Sequence, residues 1–450
     1  MAINVTPVGT DESFQERISR LKTEIEKKHG KTVEQLRDER EKRLKDVIEL
    51  RVPDRVPVTM QTGVFAARYG GVPVSAMYYD HLAYRDACLK TIVDFEPDTG
   101  ANLALGTSGL VNELLDVKNQ RWPGGTLPPD VAYQFVEGEY MKADEYDHFL
   151  ADPSDFILRC YLPRLFGTLE PMTKLPPFRN MIGGGGFTAI LGFFLRPEFI
   201  ELAEKLTQAA REQDRLRKEG AGLAEATAQL GFPSQFGRAG MGGGVSLAPF
   251  DTISDNLRGM RGAMLDMYRC PDKLLAACDK ILEWRISQLV PAKPDPSGNP
   301  VRIFMPLHRG SDGFMSLAQF EKFYWPGLKK AILTNIELGY IASPFWEGVW
   351  DDRLEYLLDL PRGKVIFHCE RTDIFRAKEI LGDHMCIQGG VPPTILQAGS
   401  PQDVEEYCKK LIKVVGKDGG FILGPGSAID EAKPANVMAM VESAKKYGWY

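Results

Sequence analysis

Apolar residues near the start of the chain recur at Phe14, Ile18, Leu21 and Ile25, a 4-3-4 spacing that lines one face of a helix. The pattern breaks at His29-Gly30-Lys31-Thr32. There Gly30 can take a left-handed cap, and Thr32 with Gln35 forms a capping box for a second helix. Val33, Leu36, Leu44, Val47 and Ile48 supply the apolar face of that second helix. Residues 1–50 are therefore predicted to form a helical hairpin extension clamped onto the main body, with a homodimer arm as the alternative.

From residue 51 the pattern becomes that of a core. Residues 53–60 (PDRVPVTM) read as a strand with prolines at its edge. Residues 100–250 are harder to divide. They hold loop segments such as Trp122-Pro123-Gly124-Gly125 and two glycine clusters, Gly183 to Gly186 and Gly240 to Gly244. Phe187 to Phe194 (FTAILGFF) reads as a core helix. After a Pro-rich connector at 290–300, strands at 301–306, 340–346, 364–369, 385–389 and 420–423 alternate with helices. The helix signals are Ser316 with Gln319, Thr372 or Asp373 closed by Gly382, and Ser400 followed by Pro401, together with segments 351–360 and 434–447. Pro326 is expected to kink or divide the helix that contains it. Such βα repetition implies a parallel sheet. Without a dinucleotide fingerprint, the expected fold is a closed (β/α)8 TIM barrel over residues 51–450.

Composition narrows the function. The 450 residues include 55 basic and 61 acidic side chains, a net charge of −6, which argues against nucleic-acid binding. The first 50 residues carry 11 basic and 11 acidic side chains, a balance that makes a DNA-binding arm a poor reading. No apolar run approaches the ~20 residues of a membrane helix, and the N-terminus lacks a signal pattern. The seven cysteines include no CxxC pair, so neither a disulfide framework nor a zinc ribbon is indicated. A cytoplasmic enzyme is expected.

In a βα barrel the reactive groups sit at the C-terminal strand ends. His308 follows strand 301–306, Glu347 follows 340–346, and His368 ends 364–369 with Glu370 two residues on. Two imidazoles and a carboxylate suit an open zinc site. The alternative for each histidine is a hydrogen-bonded core or rim residue, and for Glu347 an ion pair with Arg353 or Arg371. His81 and His148 read as solvated, and His384 lies on the wrong rim. Neither glycine cluster matches a phosphate loop. Arg258 and Arg261 read as surface ion pairs or as contacts to an anionic substrate.

The segment Lys364 to Gly390 (KVIFHCERTDIFRAKEILGDHMCIQGG), with GSPQDVEEYCKKLI, GGFILGPGSAID and KPANVMAMVESAKKYG, resembles the uroporphyrinogen decarboxylase superfamily. Arg51 to Val58 is similar to that superfamily's first strand. The resemblance implies a (β/α)8 barrel and leaves two chemistries, decarboxylation and corrinoid-dependent methyl transfer. Porphyrin decarboxylases carry an Arg-Gln-Ala-Gly-Arg-type stretch where this chain has Thr59 to Val64, so the porphyrin-gripping arginines are missing. Thiol-using methyltransferases carry cysteines where this chain has Glu347 and Ser427. The remaining resemblance is to the first methyltransferase of corrinoid-dependent O-demethylases. It implies transfer of a methyl group from a methoxylated aromatic to the cobalt(I) corrinoid of a partner protein, with zinc activating the ether oxygen. Glu347 and His368 have the spacing of that group's Glu and His ligands, whereas its first Glu falls at Ile332. His308 is the expected third ligand and Glu370 the second choice, with Cys369 facing away. The alternatives are another activity of the superfamily or a metal-free homologue.

Overall fold

The computed structural model describes residues 13–100, 108–220, 222–234, 244–293, 298 and 300–450. The two N-terminal helices form as the spacing predicts. Helix α1 (Phe14–His29) is opened by a Ser13 capping box and closed by Gly30 at φ 64°. Helix α2 (Val33–Ile48) is opened by the Thr32–Gln35 box.

Five parallel strands follow in the C-terminal region: β1 (Arg302–Leu307), β2 (Ile341–Trp346), β3 (Ile366–Cys369), β4 (Cys386–Val391) and β5 (Phe421–Pro425), in sequential order. Between them run helical segments at Trp325–Glu337, Asp351–Asp359, Ile374–Leu381 and Pro401–Val414, and Pro434–Tyr447 follows β5. Pro326 falls in the first turn of its helix, behind a wide π-turn at Phe320–Tyr324, and so divides the segment. Asp351–Asp359 winds as a 3-10 helix.

Backbone hydrogen bonds carry the sheet beyond β5. Thr59 N–H donates to Leu423 O (2.9 Å) and Leu423 N–H to Pro57 O (2.9 Å). Asp98 N–H donates to Val58 O (2.8 Å), and Gly100 N–H to Pro233 O (2.7 Å). The Arg302 guanidinium on β1 donates to Ser234 O at 2.8 Å, across the remaining gap. Eight chain segments thus run round a ring, three of them too short in pairing to count as full strands.

The hairpin is built into this barrel and is not a free arm. Leu44, Val47 and Ile48 of α2 pack against Ile341, Ile366, Cys386 and Ile422, which lie at the starts of β2 to β5. Helix α2 therefore plugs the N-terminal end of the barrel, and each such side chain contributes roughly 1.5–3 kcal/mol by burial. Helix α1 buries Ile18, Leu21 and Ile25 against Leu89, Ile92, Val93 and Phe232. Three charged residues of α2, Arg40, Arg43 and Asp46, are also buried. Arg43 reaches the fully buried Asp98 at 2.5 Å, and Arg55 grips the same carboxylate with two bonds of 2.8 Å. Val58 N–H donates to it as well (2.8 Å), so one carboxylate ties α2 to the first two segments of the ring.

The FTAILGFF segment is not core. It forms short helices, Gly185–Ile190 and Leu191–Leu195, that leave Phe187, Leu191, Phe194 and Leu195 exposed. Gly183 and Gly184, both at positive φ, turn the chain out before it can pack. Most of the second glycine cluster lies outside the described residues.

Burial opposes the charge on Asp98, but the guanidinium charges of Arg55 and Arg43 outweigh it and hold the carboxyl at about 2, below its ordinary 3.8. The stabilisation is complete above the ordinary value and is lost as pH falls through about 2. Asp98→Asn should therefore cost about 3 kcal/mol at pH 7 in denaturant unfolding, because two arginines lose a buried partner. The difference from wild type should shrink between pH 4 and pH 2, and a pH-independent difference would contradict the linkage.

Candidate functional site

The strand register places the rim residues in rows. Leu307 pairs with Trp346, and Trp346 with Cys369. One residue further on, His308, Glu347 and Glu370 fall in a single row along the C-terminal rim. His368 pairs with Phe345, two positions deeper into the barrel.

His308 is held from behind by a helix. Asp251 and Asp255 lie four residues apart in the helical run formed by Pro249–Ile253 and the π-turn Ser254–Arg258. Asp251 is fully buried. It accepts the backbone N–H of His308 (3.0 Å), the backbone N–H of Arg309 (3.0 Å) and the Tyr324 hydroxyl (2.6 Å). Burial pushes its carboxyl up to about 6, with the Asp255 charge adding to the shift. Asp255 Oδ2 meets His308 Nδ1 at 2.5 Å, and its other oxygen pairs with Arg309 at 3.2 Å. Arg309 also donates from Nε to Ser254 Oγ at 3.0 Å. The far ring nitrogen, His308 Nε2, stands 3.7 Å from Glu347 Oε2.

The chain is therefore Asp255, His308, Glu347, running from a buried carboxylate to a half-exposed one. Burial works against charge on His308, but the Asp255 hydrogen bond and the charges of Asp255, Asp251 and Glu347 outweigh it, so its pKa is raised. The Glu347 carboxyl is also raised, by burial first, with Glu370 adding and His308 opposing. Gly348 follows Glu347 at φ 86° and donates its N–H to Glu370 Oε2 at 2.5 Å. A side chain there would strain that turn and would sit 3.0 Å from Ser311 Cβ.

His368 does not join this chain. Its exposure is 3%, its ring lies 4.8 Å from the Phe345 ring, and Nε2 has no partner. Burial pushes its pKa down to about 4, so it is neutral near pH 7. Among the described residues, no three His, Cys, Asp or Glu side chains are grouped so as to hold a metal ion. The expected zinc set of His308, Glu347 and His368 is one ligand short, because His368 occupies a lower row. Glu370 is in the right row, but one of its oxygens is committed to the Gly348 N–H. The residues as placed do not make a zinc centre.

Other expectations also change. Glu347 does not pair with Arg353, which instead pairs with Asp312 and donates to Met315 O. Arg258 is buried and bound to Asp266 and Glu139, whereas Arg261 and Arg269 line a cavity of about 520 Å³ beside Glu137. Glu137 lies 3.7 Å from Arg309, so this cavity adjoins the His308 cluster. His81 is buried at 1% exposure, while His148 is partly exposed and paired with Asp155 at 2.8 Å. His384 bonds Leu360 O at 2.6 Å, away from the rim row. Sequence reasoning missed Asp251, Asp255, Arg309 and Tyr324. The available signal was a pair of carboxylates at i and i+4 in the helical segment PFDTISDNL.

Residues 235–447 match the model of the uroporphyrinogen decarboxylase (URO-D) family. The C-terminal half of the chain is uroporphyrinogen decarboxylase-like. Uroporphyrinogen decarboxylase of Chlorobium phaeovibrioides is 35% identical over 78 residues, which is 16% of this chain and 22% of that protein. The Syntrophotalea carbinolica protein of the same name is 23% identical over 177 residues, 39% of this chain and 49% of that one. The chain thus matches between about a fifth and a half of the length of these relatives. A solved methyltransferase from Methanosarcina mazei superposes with a TM-score of 0.55 at 16% identity, covering 90% of this chain and 98% of the other. At that identity the likeness shows the fold, a (β/α)8 TIM barrel extending well beyond the matched half. No helix among the described residues is long and apolar enough to cross a membrane.

The row assignment has a direct consequence. Zinc content per chain, measured by inductively coupled plasma mass spectrometry, should be the same in wild type and His368→Asn. A fall confined to the variant would return His368 to the ligand set.

Proposed function

We propose that this chain is a methyltransferase that moves a methyl group from a methyl ether, a methoxylated aromatic, to the cobalt(I) corrinoid of a partner protein. The observation that carries the reading is the Asp255–His308–Glu347 chain on the C-terminal rim, where barrel enzymes place their chemistry. The barrel likeness to a solved methyltransferase supports it. So do the residues at 347 and 427, Glu and Ser in place of thiols, which suit an oxygen leaving group better than a thiol acceptor.

An alkyl ether resists cleavage because the departing oxygen carries charge away. The corrinoid acts as the methyl-accepting substrate and supplies the electron pair for the new methyl–cobalt bond. This chain's part is to neutralise the leaving oxygen. As the carbon–oxygen bond breaks, its electron pair stays on oxygen, and His308 Nε2 delivers a proton there, giving an alcohol or phenol. Asp255 keeps the ring turned so that Nε2 faces the mouth, and its charge keeps the imidazolium formed. Half-exposed Glu347 connects the ring to solvent for reprotonation. The family resemblance implies zinc, but the rim residues do not make a zinc centre, and this proton route needs no metal ion.

The test is anaerobic methyl transfer to reduced cobalamin, followed by the methylcobalt absorbance, over a panel of methoxylated aromatics. Transfer from at least one donor is expected, and His308→Asn should lower kcat by roughly 10²–10⁴-fold. Because the His308 pKa is raised, the donor form is complete below the ordinary 6.5 and is lost as pH climbs through the folded value. Activity should fall on the alkaline side, and Asp255→Asn should move that fall to lower pH. Failure of every donor would overturn the reading in favour of another superfamily activity.

A further inference from the structure

The N-terminal hairpin uses its apolar faces within the chain, so a contact between copies through them is closed. The Pro197–Gly220 helix is different. It buries Phe199, Leu202, Ala209 and Leu216 on one side. On its solvent side Ile200, Ala203, Glu204, Thr207 and Arg211 recur at three- and four-residue steps, the spacing of one helix face. With Phe194 they line an open groove of about 490 Å³.

The charges on this helix fall into two sets. Glu201 pairs with Lys205, Glu212 and Glu219 with Arg215, Asp214 with Arg217 and Lys218, and Glu198 with Lys174. Among the described residues, Glu204 and Arg211 alone on this helix have no ion-pair partner. Both are exposed, and both line the groove. They stand two turns apart, about 10 Å along the axis.

One acid and one base on an apolar groove restrict what can cover it. A surface of a single sign, such as an anionic bilayer, repels one of the two. A covering helix must set a base against Glu204 and an acid against Arg211 at the same separation. The same helix from a second copy, run antiparallel, does so. A two-fold axis between Thr207 and Gln208 brings each Glu204 level with Arg211 of the other copy, so one contact makes two ion pairs. A parallel arrangement would set like charge against like. Ala203 and Thr207 near the axis are small enough for the two helices to approach closely, and Ile200 with Phe194 supplies apolar surface towards each end.

We propose that this face is the contact of a homodimer, in which two copies pair antiparallel through the Pro197–Gly220 helix with Glu204 of each on Arg211 of the other. The proposal is independent of the methyl-transfer reading.

Sedimentation of the full chain, from micromolar concentration upward, tests it. Wild type should sediment as a dimer. Glu204→Arg makes both pairs repulsive and should weaken the dimer by about ten-fold or more, and Arg211→Glu should do the same. The double reversal, Glu204→Arg with Arg211→Glu, remakes both pairs and should recover the wild-type dissociation constant, which a misfolded chain would not. An equimolar mixture of the two single variants should dimerise as well, because each pair is then complementary. A monomeric wild type, as expected if a lipid surface or a different protein covers the groove, would overturn the proposal. So would a dimer that Glu204→Arg leaves intact, since another face then holds it, or one that the double reversal fails to recover.

Discussion

The Asp251 carboxylate is the constraint on which the rim depends. It is fully buried and takes two backbone N–H groups and one hydroxyl, so the loop after β1 has its start pinned to a helix outside the sheet. Four residues on, Asp255 takes the side chains of the same two residues, His308 and Arg309. One carboxylate fixes where the loop runs and the other fixes where its side chains point. Burial first, and the nearby Asp255 charge after it, raise the Asp251 carboxyl to about 6. His308 and the Arg309 guanidinium, both held against Asp255, offset the cost of ionising the two carboxylates.

The barrel is asymmetric along its axis for a related reason. Its lower end is closed by apolar side chains of α2 and by the Asp98–Arg43–Arg55 knot. Its upper end is lined by rings that solvent can reach and by charged residues carried on strand ends. Stability is concentrated at one end and chemistry at the other, the division expected of βα barrels.

What could be read in the sequence follows the same division. The last 150 residues were legible because each strand is a short apolar run and each helix has a cap, as at Ser400-Pro401 and Asp373. Of the ring's first three segments only 53–60 was legible as a strand; those at 98–100 and 233 were not, because each pairs through only one or two backbone hydrogen bonds. The hairpin was correctly placed as helices, yet its role as a plug depends on Leu44, Val47 and Ile48 meeting residues some 300 positions away. His308 and Glu347 were recoverable from strand ends alone. His368 lies two positions below the row of Glu347 and Glu370, which its pairing with Phe345 shows and the sequence alone did not. Asp251 and Asp255 sit in a mixed helical segment, PFDTISDNL, and their role shows only once their partners His308, Arg309 and Tyr324 are placed.

The state of one ring reports most directly on how these carboxylates organise the rim. An NMR pH titration of the His308 imidazole, in wild type and Asp255→Asn, measures it directly. The midpoint should lie above the ordinary 6.5 in wild type and drop in the variant. A wild-type midpoint at or below 6.5, or one that ignores the loss of Asp255, would contradict a rim organised by these two carboxylates.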